Sequence, residues 1–414
     1  MPIDFSLTPE QRELRLAARD FARKVLSEVG PATRHLASAE QRWQVTKPIY
    51  EQVVAQGWLK RILPVPVGGE CAGMLDLGLV AEEFTAVDSS VSLTLFGVTL
   101  GLAPLLGAGS PEQLDEHLPR FLEPQGAPVA AFAFSEPAGS ANWDAPAPAD
   151  GVLTTAVPDG DDWVINGSKK WVSNSAGWDG HGPDLLAVVC RTDPQASPDA
   201  ALSVILVPGP SEGLRLEESL DLVGHRAHQT PTITLRDVRV PKRNVLVRPG
   251  AGRAIVTESF LPTAALVGVL ALAKMRAAFE YTLAFAKRER RGGAGPIIEH
   301  QAVGYALADA KASMEAVRYV AWKALHALDT GAPGAAESAL HSKVFGSETA
   351  IRVITDLMRV VGVESYSHDV PLGELLQDAL AYPLFDGGNL GVRRRALHSI
   401  LADPAYDPAT TYLG

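Results

Sequence analysis

The chain has 414 residues, 46% of them hydrophobic and 21% charged, and a net charge of −11. That length exceeds what one ordinary core organises and points to two or three domains, while the acidic balance repels nucleic acid and anionic lipid and argues against both as partners. The two cysteines, Cys71 and Cys190, lie far apart and match neither a disulfide framework nor a metal-ligand spacing, so they read as buried thiols in a reducing compartment, with no metal.

The opening MPIDFSLTPEQ has no basic region followed by an apolar run. The longest apolar stretch, Ala264 to Ala273, is too short to span a bilayer, so a cytoplasmic location and no membrane contact are expected. Thr8-Pro9-Glu10-Gln11 has the form of a capping box with proline at the first helical position. Leu14, Ala18, Phe21, Val25 and Val29 then follow at helical spacing, which predicts an amphipathic helix up to Gly30. Further helical patterning runs from about Val45 to Trp58, Leu75 to Val87 and Pro111 to Phe121. Residues 1–128 thus read as a helical domain.

From about Val129 the texture changes. WVING, DLLAVVCR, LSVILVPG and TPTITLRDVRVP are short β-rich runs bounded by Gly, Pro, Asp and Asn, which predicts a strand domain over 129–248. After Pro249 the long segments Ala251 to Arg288, Ile298 to Asp329 and Ala336 to Val361 carry apolar residues at three- and four-residue intervals. Residues 249–414 are therefore expected to form an antiparallel four-helix bundle, giving an α+β chain ordered helices, strands, helices.

Four stretches carry more than this order does. They are FSEPAGSANW, WVINGSKKWVSNS, RRGGAGPIIEHQ and YPLFDGGNLGVRRR. Read bottom-up, each has an ordinary meaning: Ser and Trp beside Gly and Asn build turns, RERR is a solvated basic face, and an Asp before two glycines is a turn residue or a helix cap. Together, in this order, they resemble the acyl-CoA dehydrogenase superfamily over essentially the whole chain, and within it the nitroalkane oxidase family most closely, through SEPxGxANW, WxSNSxGWD, RGGxxxIIEHQ and YPLFDGGNxGxRRR.

The resemblance implies an acyl-CoA dehydrogenase-like fold, a bound FAD and a homotetramer in which an adjacent subunit completes the cofactor site. It assigns Phe134, Ser135, Ser140, Asn142, Trp171 and Ser173 to the flavin. Short hydroxyls and backbone N–H groups suit its polar edge and an indole suits a ring face. Arg291, on permissive glycine backbone, with His300, Gln301 and Gly362, falls to the remainder of FAD, and Arg290 competes with Arg291 for the pyrophosphate. Gly387 and Gly388 border the site, and Val363 replaces a glycine of the superfamily pattern.

Where acyl-CoA dehydrogenases have Tyr-Glu-Gly-Thr, with the glutamate as base, this chain has Phe385-Asp386-Gly387-Gly388, so the resemblance makes Asp386 the base. If a helix begins after Gly388, Arg393 comes near the Asp386 azimuth, where a guanidinium favours the ionised carboxylate. Thr263 occupies the position of a serine that in nitroalkane oxidases hydrogen-bonds the aspartate. Val256 and Ser259 replace the Asp-x-x-Arg that holds coenzyme A in acyl-CoA dehydrogenases, which favours a small carbon acid. The implied reaction turns a primary nitroalkane, water and dioxygen into an aldehyde, nitrite and hydrogen peroxide, through proton abstraction and attack of the nitronate on flavin N5. The alternative is an acyl-CoA dehydrogenase or oxidase acting on another carbon acid or a thioester.

Overall fold

The computed structural model describes residues 5–145, 149–193 and 195–413. The stretch read above for a leader pattern begins in residues 1–4, outside the described ones. Helix α1 (Pro9–Lys24) opens on the expected capping box, Thr8 accepting from the Gln11 N–H and the Gln11 side chain from the Thr8 N–H. It ends at Lys24, before the expected Gly30. The chain instead takes a 3₁₀ turn at Leu26–Glu28 and restarts at Val29–Thr33, burying Leu26 and Val29. Helix α2 (Ala39–Ala55) starts ahead of the expected Val45, with Ser38 capping the Gln41 N–H. It is followed by α3 (Met74–Val87) and α4 (Ser90–Ala108).

Among the described residues seven strands follow: β1 (Ala130–Ala133), β2 (Thr155–Asp159), β3 (Asp162–Lys170), β4 (Leu185–Arg191), β5 (Leu202–Pro208), β6 (Leu214–Glu218) and β7 (Thr232–Pro241). They form one sheet in the order β1-β4-β2-β3-β7-β6, with β5 antiparallel to β4. Only the pairings of β1 and β2 with β4 are parallel. The sheet has its own core, including Ile165, Val188, Ile205, Ile233 and Val238.

Helices α5 (Gly252–Arg288), α6 (Gln301–Thr330) and α7 (Ala335–Val361) are the long elements of the third part, and α8 (Leu372–Ala381) takes the fourth place against α5 and α7. The fourth helix is thus a ten-residue one, and α5 also packs on α3 and α4. By length and composition α4 and α5 are apolar enough to cross a membrane, contrary to the expectation drawn from Ala264 to Ala273. More than half of each apolar window is buried within the protein, as for core helices.

Candidate active site

Asp386 follows α8 on a turn in which three consecutive residues have left-handed φ: Asp386 (51°), Gly387 (85°) and Gly388 (61°). Two glycines make that turn affordable, whereas Asp386 bears a strain that other contacts must hold. The chain then closes one wide π turn, Asn389–Arg393, before α9 (Arg394–Leu401). The reversal and the π turn, rather than one face of a regular helix, bring Arg393 to Asp386. Its Nη2 lies 2.8 Å from Asp386 Oδ2, and its Nε donates to the Asp386 carbonyl at 2.7 Å.

The other carboxylate oxygen accepts from Thr263 Oγ1 at 2.7 Å. That hydroxyl also lies 3.0 Å from the Phe260 carbonyl. With one proton and two acceptors, it serves the ionised carboxylate and can turn to Phe260 when Asp386 carries a proton. The Asp386 and Arg393 side chains are only 4% and 8% exposed. Phe260 lies under the Arg393 guanidinium and packs on Phe132 and Phe134, and Phe134 packs on Trp143, so aromatic surface from the sheet domain walls the pair. Val256 and Ser259, two turns and one turn before Thr263 respectively, are buried.

Sequence reading missed the support beneath this turn. Lys343, wholly buried on α7, donates to the Tyr382 carbonyl and lies 3.3 Å from Asn389 Oδ1, and the Asn389 amide reaches Ser347 and Glu348. Burial pushes the Lys343 amine down to about 8, against the opposing pull of Asp386. A lysine on an otherwise buried helix face was the available signal. Arg394 and Arg395, both exposed, pair with Glu348 and Asp144.

The FSEP stretch owes its shape to Glu136. Buried, it accepts from the N–H groups of Leu153 and Thr154, from the Thr154 hydroxyl and from Lys169, whose amine also reaches the Phe134 carbonyl. Burial pushes the Glu136 carboxyl up, but Lys169 and Thr154 outweigh it and hold it below the usual range. So anchored, the turn presents Ser135 and Ser140, whose hydroxyls have no partner among the described residues, and the exposed Asn142.

The WVSNS turn holds Trp171 and Asn174 at left-handed φ (66° and 64°), with the Trp171 indole 53% exposed and Ser173 half-buried. α4 lies so close here that a Cβ on Gly97 would stand 2.9 Å from Asn174 Nδ2. Asn174 Oδ1, Gln229 Oε1, Thr230 Oγ1 and Thr232 Oγ1 are buried without partners among the described residues, and the Asn174 N–H bonds the Gln229 carbonyl. Orphaned polar atoms beside an uncovered indole fit a planar cofactor with a polar edge.

Arg291, His300, Gln301 and Gly362 lie elsewhere. Arg291, at φ 47°, donates to the Val361 carbonyl at 2.6 Å and to Glu364 at 3.1 Å, whereas the Arg290 guanidinium has no partner among the described residues. His300 and Gln301 stand exposed at the N-terminus of α6, where backbone N–H groups favour an anion. Thr263 and Arg288 are both on α5, and the 25 residues between them span roughly 37 Å at 1.5 Å per residue. The two predicted sets therefore lie roughly 37 Å apart along one subunit.

The descriptions "acyl-CoA dehydrogenase" N-terminal, middle and C-terminal domain match residues 8–124, 131–238 and 250–400. A nitroalkane oxidase of Fusarium oxysporum is 36% identical over 99% of this chain and 98% of its own length. Among solved structures, a nitroalkane oxidase with an active-site serine changed to alanine, crystallised with 1-nitrohexane, is 36% identical, covers both chains fully and has a TM-score of 0.96. One solved to analyse the roles of an arginine and an aspartate in the reaction of the flavoprotein nitroalkane oxidase is 35% identical with the same coverage and TM-score.

Proposed function

This chain belongs to the acyl-CoA dehydrogenase family, in its nitroalkane oxidase branch, and from that premise we propose that it is an FAD-dependent oxidoreductase converting primary nitroalkanes to aldehydes, nitrite and hydrogen peroxide. The observation that carries the reading is the buried Asp386 carboxylate, bonded by Thr263 on one oxygen and Arg393 on the other and walled by Phe260. A nitro group acidifies its α carbon enough for a carboxylate to remove the proton, and a small apolar enclosure selects such a substrate over a thioester with a large polar carrier. Buried Val256 and Ser259 offer a coenzyme A no charged group. The aspartate and arginine studied in the solved relative are seven positions apart, as Asp386 and Arg393 are here.

In this reading Asp386 takes the α proton, Arg393 aims the base through its two hydrogen bonds, and Thr263 bonds its other oxygen. Ser135, Ser140, Asn142, Trp171 and Ser173 hold the flavin ring, with Phe134 packing behind them and Gly387 and Gly388 beside it. Arg290 or Arg291, His300, Gln301 and Gly362 hold the distal part of FAD. Bound FAD supplies the two-electron acceptor, and dioxygen is its reoxidant. The roughly 37 Å between the two sets along α5 supports a cofactor site completed by a second copy, as in a homotetramer. A cytoplasmic location accords with Cys71 and Cys190, both buried free thiols.

Anaerobic mixing with nitroethane, nitrobutane and butyryl-CoA tests the function. The nitroalkanes are expected to bleach the flavin. Bleaching by butyryl-CoA alone, or a protein unable to take up FAD, would overturn it.

A further inference from the structure

Behind the WVSNS turn, a chain of hydrogen bonds links α4 to Ser173 through His228. The imidazole is 5% exposed, with Nε2 2.9 Å from Ser173 Oγ and Nδ1 3.2 Å from Thr94 Oγ1. Burial, reinforced by the neighbouring His225, pushes its pKa down to about 3, so the ring is neutral and bears a single N–H. Thr94 decides which nitrogen bears it. The Thr94 hydroxyl has one proton and lies 3.0 Å from the Ser90 carbonyl, which can only accept. With its proton on that carbonyl, Thr94 offers His228 a lone pair, which makes Nδ1 the donor. Nε2 is then an acceptor, and the Ser173 hydroxyl spends its only proton on it.

We propose that His228 is a positioning residue that, under the control of Thr94, fixes Ser173 as a pure hydrogen-bond acceptor toward the cofactor edge and so favours the reduced flavin. This rests on the reading above that Ser173 borders the flavin. Flavin ring nitrogens that only accept in the oxidised state carry an N–H in the reduced state. A serine locked as acceptor therefore bonds the reduced form and leaves the oxidised form without that donor. A free serine would turn and serve both.

Two measurements test this. In the full chain labelled with ¹⁵N-histidine, with FAD and after its removal, the His228 resonances are identified by their loss in His228→Leu. They are expected to show a neutral ring with the proton on Nδ1 from pH 6 to 8, and in Thr94→Val to move toward the Nε2–H form. An Nε2–H ring in the parent overturns the relay whether or not FAD is bound.

The second measurement is the midpoint potential of the bound flavin in the parent, His228→Leu, Ser173→Ala and the double variant. His228→Leu is expected to shift the equilibrium about tenfold toward the oxidised form, about 30 mV for a two-electron couple. It should shift nothing further once Ser173 is alanine. An equal shift in both backgrounds would overturn the proposal, because His228 would then act without Ser173. Should His228→Leu lose FAD, Thr94→Val against Ser173→Ala provides the same comparison. A chain that takes up no FAD at all would sink the cofactor reading, while the tautomer in the FAD-free protein still decides the relay.

Discussion

Arg393 grips Asp386 at two levels, donating from Nη2 to the carboxylate at 2.8 Å and from Nε to the same residue's main-chain carbonyl at 2.7 Å. One guanidinium thus supplies charge to the base and holds a backbone at φ 51°. Lysine can replace the charge but not the fork. Arg393→Lys is expected to slow flavin reduction by a neutral nitroalkane about tenfold and Arg393→Ala by about a hundredfold or more, within the range that a positioned base contributes. Equal rates in Arg393→Lys and the parent, measured by anaerobic stopped flow, would show that the second contact is idle.

The turn that makes this grip has its own test. At Gly387 (φ 85°) a Cβ would lie 3.2 Å from Val392 Cγ1 and 3.3 Å from Arg393 Nε. Gly387→Ala is expected to cost about 1–2 kcal/mol for the left-handed backbone and also to push Arg393 off the carboxylate, lowering both the melting temperature and the reduction rate. Gly57 has a similar φ of 78° with nothing within 4 Å, so Gly57→Ala should lower the melting temperature alone. If both variants lose stability and neither loses rate, the crowding at Arg393 is harmless.

What the sequence made legible was local or periodic. The Thr8–Gln11 box, the β-rich runs that became β3, β4, β5 and β7, and the three long helices were all read from neighbours or from spacing. Helix α4 escaped because it is apolar on every side, so it shows no stripe. AAFA, TAVPD and LRLEE, which became β1, β2 and β6, are too short for a periodic signal. At the site, Asp386 and Thr263 were named through the resemblance and Arg393 through its spacing from Asp386, and the structure joins all three directly. Lys343, Glu136 and His228 were not named, since each acts through partners tens to hundreds of residues away that no local pattern records.

Two buried carboxylates set the acid limit of the fold. Burial pushes Glu83 up, but Arg19, Arg276 and Arg15 hold it down to about 2. Burial likewise pushes Asp378 up, but Lys274, His225 and Ser89 hold it at about 2. Each folded pKa lies below its unfolded value of about 4, so each contributes on the order of 2–3 kcal/mol above pH 4.5 and loses it as pH falls toward 2. Urea midpoints are expected to fall steeply across that window. Asp88 runs the other way: burial, with Asp378 and Glu374, pushes it up to about 7, so its protonation favours the fold as pH drops from 7 to 4. Asp88→Asn should remove that gain and leave the lower limb unchanged. A lower limb that moves with Asp88→Asn would mean that the groups titrate as one.

At the far end of α5, the arginine pair separates two roles. Arg291 is occupied by the Val361 carbonyl and Glu364 and lies over the Phe285 ring, while Arg290 has no partner among the described residues. A guanidinium with no partner among the described residues suits a phosphate. Arg290→Ala is expected to weaken FAD retention about tenfold or more, with little loss of melting temperature in the FAD-free chain. Arg291→Ala should instead lower that melting temperature. The reverse pattern in FAD titrations and FAD-free melts would assign the pyrophosphate to Arg291.

The sharpest test falls on Asp386. Asparagine there keeps the volume and can still accept from Thr263, but it cannot take up a proton. Neutral nitroalkane should therefore reduce the flavin of Asp386→Asn slower by about 10²–10⁴, the usual contribution of a general base. A nitronate prepared beforehand in alkali has already lost its α proton, so it should bleach the variant's flavin far faster than the neutral form does. The comparison is made anaerobically at equal FAD content, by flavin absorbance after mixing each form with parent and variant. A variant as fast as the parent with neutral substrate would show that another group removes the proton. A variant inert to both forms would show that Asp386 also positions the substrate, because the preformed anion needs no base and could fail only for want of a place to bind.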